Sequence, residues 1–142
     1  MNFQKITAIV VLFFINPVFS QTIPNSSIQG YWILNEMTCL NTNAKYSAKG
    51  WTIKIDSLYF SSQITARCEI SYSLPYIANS KFIQLQAGVA NQKCNGTSST
   101  IISNPVNLTY SLGPRNILTI DTFNSYCGNL ARYVFIRTQI NR

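Results

Sequence analysis

The residues able to do chemistry are few: four cysteines, Cys39, Cys68, Cys94 and Cys127; four carboxylates, Glu36, Asp56, Glu69 and Asp121; and no histidine. Without imidazole the chain lacks the commonest general base at neutral pH, and with it the Ser–His and Cys–His arrangements that activate a nucleophile. The cysteines stand far apart with no Cys-x-x-Cys, so neither a zinc site nor a thioredoxin-type redox pair is expected. A glycosidase needs two carboxylates facing each other across a cleft, and the spacing of these four arranges nothing of the kind. The six glycines are dispersed and build no phosphate-cradling loop. No catalytic residue, metal ligand or cofactor is assigned, and the chain is expected to act by binding, not as an enzyme.

What the cysteines can do is staple. Residues 1 to 20 hold Lys5, an apolar run from Ile6 to Ile15, and a small residue, Ser20, just before Gln21, the pattern of a cleaved export leader. That run is short for a bilayer, and no later stretch approaches the ~20 apolar residues of a membrane helix, so no membrane span is expected. In an exported chain, secreted or periplasmic, four cysteines imply two disulfides. Of the three possible pairings, Cys39 with Cys68 and Cys94 with Cys127 is preferred, since each then ties neighbouring segments. Residues 21 to 142 make a single domain, long enough to bury a core.

The elements that position these residues read as strands, because apolar residues alternate with polar ones and no helical period is sustained. Tyr31 to Thr38 places Trp32 and Leu34 on one face. Lys49 to Asp56 does the same with Trp51, Ile53 and Ile55. From Gln63 to Leu74 one strand is expected, with Ile64, Ala66, Cys68, Ile70 and Tyr72 facing inward and Pro75 ending it. Ser80 to Val89 reads as another, with Phe82 opposite Ile83, Leu85 and Ala87. Around the turn signal Asn95-Gly96 the chain is strand or loop. Val106, Leu108, Tyr110 and Leu112 alternate up to a turn at Gly113-Pro114-Arg115-Asn116, followed by strands from Ile117 to Thr122 and Ala131 to Thr138. About eight short strands at even spacing predict an all-β fold, an antiparallel up-and-down barrel, with a β-sandwich as the alternative.

Gly30, Trp32 and Arg137 organise this reading. In a closed barrel the first and last strands are neighbours, so Arg137 can lay its guanidinium over the Trp32 indole, a contact of ~0.5–2 kcal/mol. Gly30, two residues earlier, leaves room for close approach of another backbone. In these three residues the chain resembles the lipocalin and calycin superfamily, where a Gly-x-Trp on the first strand is capped by an arginine at the end of the last. The resemblance implies a lipocalin-like barrel and barrel-closing roles for Gly30, Trp32 and Arg137.

Binding has two candidate forms. Trp51, Tyr72 and Tyr110 sit on the apolar faces of their strands, where they either line a cavity for a small apolar ligand or simply form core. Tyr59, Phe60, Tyr76 and Tyr126 lie near turns and suggest an exposed aromatic rim, suited to a protein-binding module such as an inhibitor of a secreted hydrolase. The net charge of +7 favours an acidic protein or an anionic envelope as partner. The basic residues are scattered, however, so no specific nucleic-acid binding is expected.

Overall fold

The computed structural model describes residues 26 to 138 except 48, 66 and 67. The expected leader over 1–20 and the inward placement of Ala66 lie outside the described residues. A 3₁₀ turn at Ser26–Ile28 leads into eleven strands: β1 (Gly30–Cys39), β2 (Lys45–Tyr46), β3 (Trp51–Ile55), β4 (Tyr59–Thr65), β5 (Cys68–Ala78), β6 (Phe82–Leu85), β7 (Gly88–Cys94), β8 (Thr97–Ser103), β9 (Val106–Gly113), β10 (Ile117–Asn124) and β11 (Asn129–Thr138). Eight of them form a ring in the order β4-β3-β1-β11-β10-β9-β6-β5, and pairing of β5 with β4 closes it. The fold is therefore an all-β, closed antiparallel barrel of eight strands, and the sandwich alternative falls. Strand β2 pairs with β1, and the β7–β8 hairpin extends from β5 beside the ring.

Three hairpin turns share one local cause. Asp56 accepts the backbone N–H groups of Leu58 and Tyr59 at 2.9 and 2.8 Å. Asn79 does the same for Lys81 and Phe82 at 2.8 and 3.0 Å. Asn124 accepts the Cys127 N–H at 3.1 Å. Each is an Asx turn in which a short side chain followed by serine satisfies backbone donors that the ladder leaves free. The β7–β8 hairpin turns on Asn95-Gly96 alone, both at positive φ (50° and 80°), as a tight two-residue loop demands.

Two expected strands divide, for readable reasons. Gln63 to Leu74 is a hairpin, β4 and β5. Its partners share parity, Ile64 with Ile70 and Ser62 with Tyr72, so the alternation runs through the turn unbroken and hides it. Pro75 does not end β5. The strand continues to Ala78, and Pro75 sits where β5 changes neighbour, from β7 (through Tyr72) to β6 (from Tyr76), so its missing N–H costs no ladder bond there. Ser80 to Val89 breaks at residues 86 and 87 into β6 and β7. Ala87, expected with Ile83 and Leu85, is exposed, and the inward phase resumes at Ala90.

The disulfides differ from the preferred pairing: they join Cys39 to Cys127 and Cys68 to Cys94. Barrel closure is the reason for the first. The top of β1 lies between β2 and β11, and the loop before β11 brings Cys127 against Cys39. The second spans two directly opposed positions of the β5–β7 pair. The interior is a single cluster that includes Trp32, Ile53, Phe60, Ile83, Leu118 and Phe135, all buried.

Candidate binding surface

At the lower end of the barrel, Trp32 and Arg137 are direct partners in the β1–β11 register. The Arg137 guanidinium carbon lies 4.5 Å from the Trp32 ring centroid. Trp32 is fully buried, and its indole N–H donates to the Ile28 carbonyl at 2.9 Å, while Arg137 donates to the Ser27 carbonyl. The 3₁₀ turn is thus pinned across the barrel's end. Gly30 has φ +150°, and a Cβ there would stand 3.2 Å from Arg137 Nε. The approach that this glycine permits is that of the arginine side chain, not of another backbone.

Two tyrosines complete this end. The Tyr76 hydroxyl donates to the Asp56 carbonyl at 2.7 Å, and the Tyr110 hydroxyl donates to the Asn79 carbonyl at 2.6 Å. Each phenol ties one Asx turn to the interior. Burial, followed by the nearby Asp56 charge, pushes Tyr76 up to about 12. Phe60 (1% exposed) and Tyr76 (6%) are therefore core, which corrects their expected place on an exposed rim. Each follows the inward phase of its strand, and proximity to a turn does not override that phase. Tyr59 and Tyr126 are exposed.

Of the expected lining residues, the structure brings two together and places the third apart. Trp51 donates to the Ser62 hydroxyl at 2.8 Å, and its ring meets Tyr133 and Phe135 edge-on at 4.7 and 5.3 Å. Tyr72 stacks on Phe60 at 6.4 Å and also bonds Ser62; burial raises its pKa. Ser62 is the one buried polar residue in the described core, and it serves both aromatics. Tyr110 lies at the opposite end. Trp51 and Tyr72 are half-buried, near the end closed by Cys39–Cys127.

The four carboxylates all have structural work. Glu36 pairs with Lys45 at 3.1 Å, and Asp121 holds Arg132 through two bonds of 2.9 and 2.8 Å. Glu69 accepts from Gln63 at 3.0 Å. The N–H groups of Leu58 and then Tyr59 hold Asp56 below the usual carboxylate range.

The outward residues of the same strands make a different kind of surface. Across six strands, Ile33, Thr52, Gln63, Ser71, Asn91 and Thr100 are successive partners in one row. Below it run Tyr31, Lys54, Ser61 and Ser73; above it run Thr65, Glu69, Lys93 and Ser98. The two lower rows line a concavity of about 570 Å³, in which Lys54 is the only charged side chain among the described residues and Val89 forms one border. A second hollow of about 330 Å³ continues it over Glu69, Asn91, Lys93 and Ser98. Within the described residues, the side chains of Thr52, Ser71, Asn91 and Thr100 have no partner. Sequence reasoning passed over this surface because polar residues opposite an apolar face read as solvated. The signal available was their chemistry, hydroxyl and amide with almost no charge, repeated from strand to strand.

Comparison with protein-family models, curated proteins and solved structures finds no match.

Proposed function

We propose that this chain is an exported, non-catalytic binding protein that recognises its ligand with the outside of a filled barrel. The observation that carries this reading is the contrast between interior and exterior polar groups. Inside, the Trp51, Tyr72 and Tyr110 polar atoms are bonded within the protein, to Ser62 and to the Asn79 carbonyl, and so offer little to a guest. Outside, a broad concavity presents the side chains of Thr52, Ser71 and Asn91, which have no partner among the described residues. The Gly30–Trp32–Arg137 arrangement supports kinship with lipocalin-like barrels, and the two disulfides support a secreted or periplasmic location. Among the described residues no helix is long and apolar enough to cross a membrane. N-terminal sequencing of the natural protein should begin at Gln21.

The test is titration of the native protein with cis-parinaric acid, read by quenching of tryptophan fluorescence. No saturable quenching is expected. Stoichiometric uptake that is lost on replacing Tyr72 with Arg would return the function to small apolar ligands in the interior.

A further inference from the structure

The outer concavity also has a chemistry that selects a ligand class. Ionised groups are nearly missing from it: around Thr52, Ser61, Gln63, Ser71, Ser73 and Asn91 there is one lysine, Lys54, in a chain of net charge +7. An acidic protein or polyanion would be drawn to clustered basic side chains, and among the described residues the concavity holds one, Lys54, while Lys93 in the row above stands opposite Glu69. A protein partner would also want an apolar, aromatic centre, and here the apolar side chains, Tyr31 and Ile33 on β1 and Val89 and Ile102 on β7 and β8, stand at the two borders and leave the centre polar. What the face does offer is groups that both donate and accept. Serine and threonine hydroxyls and the asparagine and glutamine amides each play both parts, so they match a ligand whose own groups are neutral hydroxyls. The row from Thr52 to Asn91 crosses four strands, about 14 Å at the usual strand spacing, long enough for two or three linked rings. Tyr31 borders the lower row, where a phenol ring suits the apolar face of a ring laid against it.

We infer that this concavity binds a neutral oligosaccharide, laid across β3, β4, β5 and β7 along the Thr52–Gln63–Ser71–Asn91 row. This rests on the reading that the outer surface is the binding surface. Lys54 reaches a ring hydroxyl as a donor, and the Ser61–Ser73 hydroxyl pair, 2.8 Å apart, supplies a preformed contact below the row. Water fills the gaps that direct contacts leave, as is usual for polar recognition.

The experiment is a ¹⁵N chemical-shift titration of the whole mature protein with cellohexaose, chitohexaose, maltohexaose and mannohexaose, each to millimolar concentration. The expected result is saturable shifts with at least one of them, confined to amides of β3, β4, β5 and β7 and unchanged at physiological ionic strength. Ser71→Lys, which puts bulk and charge mid-row on an outward position, should weaken that binding about tenfold or more. Asn91→Ala, which removes a side chain without a partner among the described residues, should weaken it while leaving the thermal midpoint in place. The inference is overturned if none of the four shifts these amides, if the shifts map elsewhere, if Ser71→Lys binds like the native chain, or if binding appears only at low salt. Silence with all four sugars while cis-parinaric acid is still refused rejects the ligand class and leaves the outer-surface reading standing; uptake of the apolar probe into the interior rejects both.

Discussion

At the Trp32 end the barrel is shut by non-covalent contacts, whereas at the Cys39 end a disulfide joins β1 to the loop before β11 and a second ties the β7–β8 hairpin to β5. The lower end pins a 3₁₀ turn with an indole and a guanidinium, and anchors two Asx turns with tyrosine hydroxyls. The upper end leaves Trp51, Met37 and Tyr72 only half-buried, and both disulfides are there. Where side chains complete a close-packed layer, burial supplies the stability; where they do not, cross-links restrict the unfolded chain instead.

Removing the covalent closure should have the largest effect. In the chain-entropy account, Cys39→Ala with Cys127→Ala, which opens a separation of 88 residues, costs about 4.6 kcal/mol. Cys68→Ala with Cys94→Ala opens a separation of 26 and costs about 3.5 kcal/mol by the same account. Denaturant melts of both double variants check the order; equal losses would mean that native strain or residual unfolded structure outweighs loop length. At the other end, Trp32→Ala should cost about 4 kcal/mol, since a fully buried indole leaves a cavity and the Ile28 carbonyl loses its donor. A loss under about 1 kcal/mol in the same melts would break the contrast between the two ends.

Finer probes follow. Tyr76→Phe and Tyr110→Phe keep the packing and delete one hydroxyl each, so each should cost about 1 kcal/mol. The same phenols make the fold sensitive to alkali. With the folded pKa of Tyr76 pushed up to about 12 from 10.0, its contribution is complete below pH 10 and is lost as pH rises toward 12. Burial raises Tyr72 and Tyr133 as well, which adds to that loss. Absorbance titration at 295 nm should show buried tyrosines ionising after the exposed ones, together with unfolding. The smallest effect belongs to the outer face: Asn91→Ala should change stability by under about 0.5 kcal/mol, which marks that face as free to serve a ligand.

Much of the barrel was legible because a half-buried strand writes its burial into every second residue. Trp32, Leu34, Ile53 and Ile55 face the core as their alternation requires. What was illegible lay between strands. A hairpin whose partners share parity erases its own turn from the pattern, so β4 and β5 read as one. Proximity along the chain misled the disulfide assignment, because closure makes Cys39 a neighbour of Cys127 across the first and last strands. The candidate surface was hidden for a third reason. Thr52, Gln63, Ser71 and Asn91 are unremarkable one strand at a time, and only the register aligns them.

Strand β8 hydrogen-bonds to β7 alone among the described residues, and its seven residues, Thr97 to Ser103, include no charge and no proline. Ile101 and Ile102 stand exposed on it, the latter at 80%. Such an edge carries none of the local devices that keep sheets from joining end to end. Keeping copies apart then falls to the long-range repulsion of a molecule with net charge +7. Colloidal behaviour should accordingly invert the usual habit of adding salt to steady a basic protein. As the screening length shrinks from ~30 Å at 0.01 M to ~3 Å at 1 M salt, light scattering should report growing association. Ile102→Lys should abolish that growth.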